Sequence, residues 1–276
     1  MNKANGVLTC RARVLKKGNT SRMKLGLAIL FLAILWPDSP KLGAEPGRAC
    51  KRSKLFTAQG IVAWSTQSNA KGFFYKSGLA IDADGAFRAY HPNDRLGLDS
   101  LAHAGHKGNW WALVTDNGKV SGHPVVQGES DPAPGFYVST TALYDSNNHN
   151  PRDPHRYVDA LQIPYVVLHP KALKYARLGD FATVVNLQNG KISAALVADE
   201  SAADLPVGEG SIALAKTLGI ESSPRYGGKP GGVVYLIYPG SGNGKPRPLE
   251  EIETMSKQLF ESWGGSDKLN ACLASD

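Results

Sequence analysis

Short apolar runs of β type, broken by Gly, Asn, Asp and Pro, recur along most of the chain. Residues 61–66, 73–81, 86–90, 110–115, 135–140, 164–169, 181–187, 192–197 and 233–239 are expected to be strands, since each holds β-branched or aromatic residues between turn residues. Asp84-Gly85, Asn117-Gly118 and Asn189-Gly190 fall between such runs, and the last is the best hairpin turn. Helical periodicity is confined to two places. Residues 211–218 make a short helix stopped by Gly219. Residues 249–263 follow Pro248, place Ile252, Met255, Leu259 and Trp263 on one face, and stop at Gly264-Gly265. The pattern predicts a mainly β fold with minor helix. Residues 91–109 and 145–160 are rich in Asn, Asp, Pro, Gly and His, and read as long ordered loops of the kind that form functional walls.

One apolar run is of a different kind. Met23 and Lys24 open a continuous stretch to Trp36, which Pro37, Asp38 and Pro40 break, and Leu42-Gly43-Ala44 offers small residues for cleavage. This is the layout of a secretory signal peptide, with an apolar core short for a membrane span. Residues 1–44 are therefore expected to be a signal peptide with a basic n-region, 45–54 a tether, and 55–276 a single catalytic β-rich domain. An uncleaved anchor or a buried helix is the alternative for the apolar run. The expected destination is extracellular or periplasmic, with no membrane contact after cleavage.

That division changes the meaning of the charge. The formal net charge is +7, but of the 31 Lys and Arg and 24 Asp and Glu, residues 1–44 hold eight and one, which leaves 23 of each beyond. A chain so balanced gives no electrostatic reason to bind nucleic acid, and none is expected as a partner. Cys50 and Cys272 stand near the two ends of the exported part. In an oxidising compartment they are expected to form one disulfide rather than remain two thiols.

The chemistry concentrates in residues 194–214, AALVADESAADLPVGEGSIAL, where Asp199 and Glu209 bracket a short polar loop between a strand-like and a helix-like run. Two acids held apart on a rigid frame suit general acid/base hydrolysis of a sugar bond. The same acids have ordinary readings too: Asp199 as a turn residue, Glu209 as a carboxylate at a helix start.

Seven motifs then coincide in order: IDADGAFRAYHP (81–92), GNWWALVTDN (108–117), DPAPGFYVSTTAL (131–143), IPYVVLHP (163–170), GDFATVV (179–185), VGEGSIALA (207–215) and VVYLIYPGSG (233–242). The ordered set resembles glycoside hydrolase family 75, the chitosanases, in a bacterial secreted form, and the resemblance covers about residues 55–242. The resemblance implies endo-hydrolysis of β-1,4-linked glucosamine polymer with inversion at the anomeric carbon. It also implies an essential Asp at a strand end and an essential Glu in a Gly-Glu-small-Ser motif. Asp199 and Glu209 take those places, although Ala198 stands where the family has Gly, and Glu200 and Asp204 lie nearby as substitutes for Asp199. Which acid donates and which activates water stays open.

A chitosan cleft implies further contacts. Asp82, Asp84 and Asp180 are candidates to meet substrate ammonium groups, with a solvated turn or a calcium loop as other readings of Asp82-Ala83-Asp84-Gly85. Tyr90, Trp110 and Trp111 are candidate sugar platforms, and adjacent tryptophans on a strand must face opposite ways, so at most one lines a cleft. The architecture expected is a single β-barrel-like domain with flanking helices, of double-psi type by analogy. The seven histidines lack a third ligand at a recognised zinc spacing, and residues 240–245, GSGNGK, run into Pro246 where a phosphate loop needs Ser or Thr. Neither metal nor another cofactor is expected, and a monomer is. The competing reading is a polysaccharide-binding or wall-loosening protein of the same fold without turnover.

Overall fold

The computed structural model describes residues 50–66 and 71–274. The segment read as a signal peptide lies outside the described residues. In chain order the elements are β1 (Arg52–Ala58), β2 (Ile61–Thr66), β3 (Phe73–Asp82), the two-residue β4 (Gly105–His106) and β5 (Asn109–Trp110), β6 (Tyr165–Leu168), α1 (Pro170–Leu173), β7 (Phe181–Asn186), β8 (Ile192–Glu200), β9 (Glu209–Ser211), α2 (Ile212–Leu218), β10 (Lys229–Ile237), α3 (Leu249–Trp263) and α4 (Gly265–Leu273).

Six strands close into a barrel in the order β3-β10-β7-β8-β6-β9, with β9 returning to β3, and β1 and β2 extend the sheet outward from β3. Pairings are antiparallel except β6 with β8 and β3 with β9. Closure leaves these six strands without a free edge and encloses a core where Tyr75 and Tyr235 stack at 4.9 Å. The β7–β8 hairpin turns at Asn189-Gly190, as its sequence predicts, with Gly190 at φ 71°. Helix α3 covers the outside of β7 and β8, burying Ile252 and Trp263, and the Trp263 indole donates to Thr66 Oγ1 at 2.7 Å.

Three expected strands do not form. Residues 86–90, 110–115 and 135–140 belong to a long irregular segment between β3 and β6, joined by isolated bridges such as Leu113 with Ser139 and Val126 with Tyr137, with a two-residue ladder at Trp110. Pro124, Pro132 and Pro134 lack the N–H groups a ladder needs, so extended backbone here pairs one residue at a time. The buried Gln127 side chain replaces part of the ladder, donating to the Phe87 and Tyr137 carbonyls and accepting from Ala133 N. At the other end, β1 starts at Arg52, within the stretch read as a tether, and pairs with β2. Cys50 and Cys272 are bonded, which ties the start of β1 to α4.

Candidate functional site

Barrel register brings the acids together. Val167 on β6 pairs with Asp199 on β8 on one side and with Glu209 on β9 on the other. Residues paired across neighbouring strands point to the same face, so Asp199 and Glu209 share a face with one strand between them. Two strand spacings set their backbones about 9–10 Å apart. On the far side of β9, Glu209 pairs with Ala80 of β3. Asp82, two residues on, shares that face and sits diagonally from Glu209. Three strands, β3, β8 and β9, thus present these acids on one face, with β6 between β8 and β9.

The sequence around Glu209 is dictated by this crowding. A side chain on Gly210 would come within 2.6 Å of the Tyr165 carbonyl, and one on Gly208, at φ 107°, within 2.5 Å of the Gly78 carbonyl. Only glycine fits either place, which accounts for the Gly-Glu-Gly triplet. Ser211 then caps α2: its hydroxyl accepts from Leu214 N at 3.1 Å and Tyr165 N at 3.0 Å and donates to the Ile163 carbonyl at 2.8 Å. One buried side chain thereby fixes β6, β9 and α2 relative to one another.

Asp82, Asp84 and Asp199 form a tighter group, with one oxygen of each within 4.8 Å of the others. Asp84 follows β3 in a turn where Asp82 Oδ1 accepts Asp84 N at 2.8 Å, and Gly85, at φ 75°, packs where a Cβ would strike the Val158 carbonyl. The Tyr90 hydroxyl donates to Asp84 Oδ1 at 2.6 Å and the Tyr165 hydroxyl to the Asp84 carbonyl at 3.0 Å. Asp199 Oδ1 accepts from Glu200 N and Ala142 N. Asp82 and Asp199 are 8% and 9% exposed, whereas Glu209 and Asp84 are half-buried.

Crowded, desolvated carboxyls hold their protons. Burial, then the charges of Asp82 and Asp99, push Glu209 up to about 8. Burial also raises Asp82 to about 6, against the opposing hydrogen bonds from Asp84 N and Tyr165. Asp84 is pushed well above the ordinary carboxylate range by burial and the charges of Asp82 and Asp199, and Asp199 by burial and the charge of Asp82.

The other expected site residues fare differently. Tyr90 is buried to 1% exposure, so its ring offers no platform; it serves the site through its hydroxyl. Trp110 packs partly buried against the core, while Trp111 is 54% exposed, the opposed facing expected of neighbours. Asp180 has no exposed surface: its oxygens accept from Gly240 N, Gly242 N and Arg177 N. It holds the turn after β10 and is closed to a substrate amine. Glu200 and Asp204 are both exposed, and Glu200, as the next strand residue, faces away from Asp199, so neither replaces it.

Sequence reasoning missed Tyr165, Asp99 and His103. Asp99 is buried, accepts from Ser100 N at 2.6 Å, and holds His103 Nδ1 at 2.9 and 3.0 Å through its two oxygens. The i, i+4 spacing of this pair was its one signal in the sequence. Among the described residues, Asp82, Asp84 and Asp199 are the group whose geometry could hold a cation, through oxygen ligands of the kind that hard divalent ions prefer.

Residues 129–264, about half of the chain, match the family model described as "Fungal chitosanase of glycosyl hydrolase group 75". The match begins after Asp82, Asp84, Asp99 and His103 and takes in both Asp199 and Glu209. No curated protein matches the chain. With its two strand-borne acids inside the matched segment and a closed barrel to hold them apart, the chain belongs to glycoside hydrolase family 75.

Proposed function

We propose that the protein is a secreted endo-chitosanase that cleaves β-1,4-glucosaminyl linkages by inversion, with Glu209 as proton donor and Asp199 as water activator. The carrying observation is the double pairing of Val167, which holds the two acids on one face across a single strand. Side chains leaning from backbones so spaced can set their carboxyl groups roughly 6.5–9.5 Å apart, the separation that admits a water between base and sugar.

Exposure and charge divide the roles. A donor must touch the glycosidic oxygen of a polymer, and half-buried Glu209 can, while carrying its proton at neutral pH. A base needs to reach only a water, which suits the more enclosed Asp199. For Asp199 to act it must be ionised, and a cationic glucosamine unit beside Asp82 and Asp84 supplies the charge that favours its ionised form. Attack by the water places its proton on Asp199 as Glu209 transfers its own to the leaving oxygen. The Cys50–Cys272 disulfide supports export to an oxidising compartment.

Incubation of residues 45–276 with chitosan should release soluble glucosamine oligomers whose new reducing ends first appear as the α-anomer by NMR. Glu209→Gln should cut kcat at least 10³-fold with the fold unchanged, because an amide delivers no proton. Retention on chitosan beads with no reducing ends released would instead favour a non-hydrolytic binder.

A further inference from the structure

The segment between β3 and β6 precedes the family match for much of its length, yet it brings an ordered pair to the edge of the acid group. Asp99 is 3% exposed and grips His103 Nδ1 with both oxygens, leaving the imidazole 58% exposed. The loop carrying the pair is braced from outside. Arg225 donates to the carbonyls of Asp94, Gly97 and Asp99 and to the Asp94 carboxylate, and Leu98 N and Asp99 N donate to the Arg88 and Ala89 carbonyls. The imidazole is therefore held, although its outer edge stands in solvent.

Two further facts give the held ring a direction and a neighbour. With the Nδ1–H turned to the Asp99 carboxylate, the acceptor lone pair of the imidazole lies at Nε2, and among the described residues Nε2 has no hydrogen-bond partner. The Trp111 indole donates to the His103 carbonyl at 2.9 Å, and His106 meets the ring edge-on at 6.2 Å, so the exposed Trp111 face is fixed beside His103. Both Asp99 and His103 lie within electrostatic reach of Asp82, and Asp99 within reach of Glu209. An oriented acceptor beside a fixed, exposed aromatic face, next to a hydrolytic acid group, has the chemistry of a sugar subsite.

We propose that His103, oriented by Asp99, and Trp111 form a substrate-binding wall for an aminosugar unit, with Trp111 stacking on the pyranose face and His103 Nε2 accepting from a hydroxyl or ammonium of that unit. The inference rests on the chitosanase reading and extends it to residues outside the matched segment. Asp99 is a positioning residue here, acting through His103.

Binding is the readout, so that the result does not depend on turnover. In the Glu209→Gln background, titration with a glucosamine hexasaccharide followed by tryptophan fluorescence and calorimetry gives Kd. His103→Ala is expected to weaken binding about tenfold, the scale of one hydrogen bond, and Trp111→Ala at least as much. His103→Gln, which returns an acceptor to about the Nε2 position, should bind within about twofold of the parent, a recovery that a merely structural histidine would not give. Unchanged thermal unfolding identifies properly folded variants. Binding by His103→Ala or Trp111→Ala within twofold of the parent overturns the wall, as does a parent that binds no hexasaccharide. Polymer cleavage by the unaltered chain is scored separately and reports on the chitosanase reading alone.

Discussion

Glu209 keeps its proton because of burial first and of Asp82 second, and the two causes can be separated by substitution. Asp82→Asn removes the negative charge diagonal to Glu209 while Tyr165, Asp84, Asp199, Tyr235 and the Asp99–His103 pair stay in place. The alkaline limb of the kcat/KM profile should then move to lower pH by about one unit, as loss of a close like charge predicts. An alkaline limb that stays put would remove Asp82 from that role. The same raised affinities make stability depend on pH. Between the ordinary values of 4.5 for Glu209 and 3.8 for Asp82 and their folded values of about 8 and about 6, the native chain holds protons that the unfolded chain has released. Stability conferred this way is complete at low pH and is lost as pH rises through the folded values. Thermal unfolding should show Tm falling from pH 5 to pH 8.5, and Glu209→Gln should flatten the fall because a neutral amide no longer resists burial. Equal slopes for the two proteins would contradict the assignment.

Strand β9 has three residues, yet it closes the barrel and carries Glu209, the proposed donor, and one hydroxyl reinforces its short backbone pairings to β3 and β6. Ser211→Ala deletes the α2 cap and leaves the buried Tyr165 N and Ile163 carbonyl without their partner. A loss of about 2–3 kcal/mol in urea unfolding is expected, combining a lost cap with an unsatisfied buried group. A change below about 0.5 kcal/mol would show that water replaces the hydroxyl at no cost. The same element marks the limit of what the chain discloses. Gly208-Glu209-Gly210-Ser211 was readable as a motif, but a three-residue strand has too short a pattern to be recognised as one. Helix α3 and the β7–β8 hairpin, long and bounded by Pro248 and by Asn189-Gly190, were legible to within a few residues. Helix α4 was hidden because Gly264-Gly265 read as a stop, whereas the chain turns at Gly264, φ 124°, and starts again. The segment between β3 and β6 misled because its apolar runs are extended without being laddered, held by Gln127 and single bridges that no periodicity encodes.

Across the whole molecule, the chain is closed by two different means. The ring of six strands is closed by backbone pairing and holds Asp82, Asp199 and Glu209, so the acids are positioned by contacts far apart in sequence, such as β3 with β9. That is why Asp199 and Glu209 could be named from local sequence while the gathering of Asp82 and Asp84 around Asp199 needed the register. The second closure is covalent. Cys50 and Cys272 are 222 residues apart in sequence and join the approach to β1 with α4, where Arg52 also donates to the Cys272 carbonyl at 3.0 Å. Cys50 precedes β1 and Cys272 lies on α4, both outside the six strands of the ring, so the disulfide should govern how long the barrel lasts rather than what it does. Replacing both cysteines with serine is expected to lower unfolding stability by about 2–4 kcal/mol, chiefly by freeing the unfolded chain. The urea midpoint should fall accordingly, while kcat and KM on chitosan at 25 °C stay within about twofold of the parent. A midpoint that does not move would mean that the hairpin and α4 are held by packing alone. A large loss of kcat in a folded variant would mean that loosening at the staple reaches the acids, through β2 and β3 to Asp82 or through α4 and α3 to Asp199 on β8.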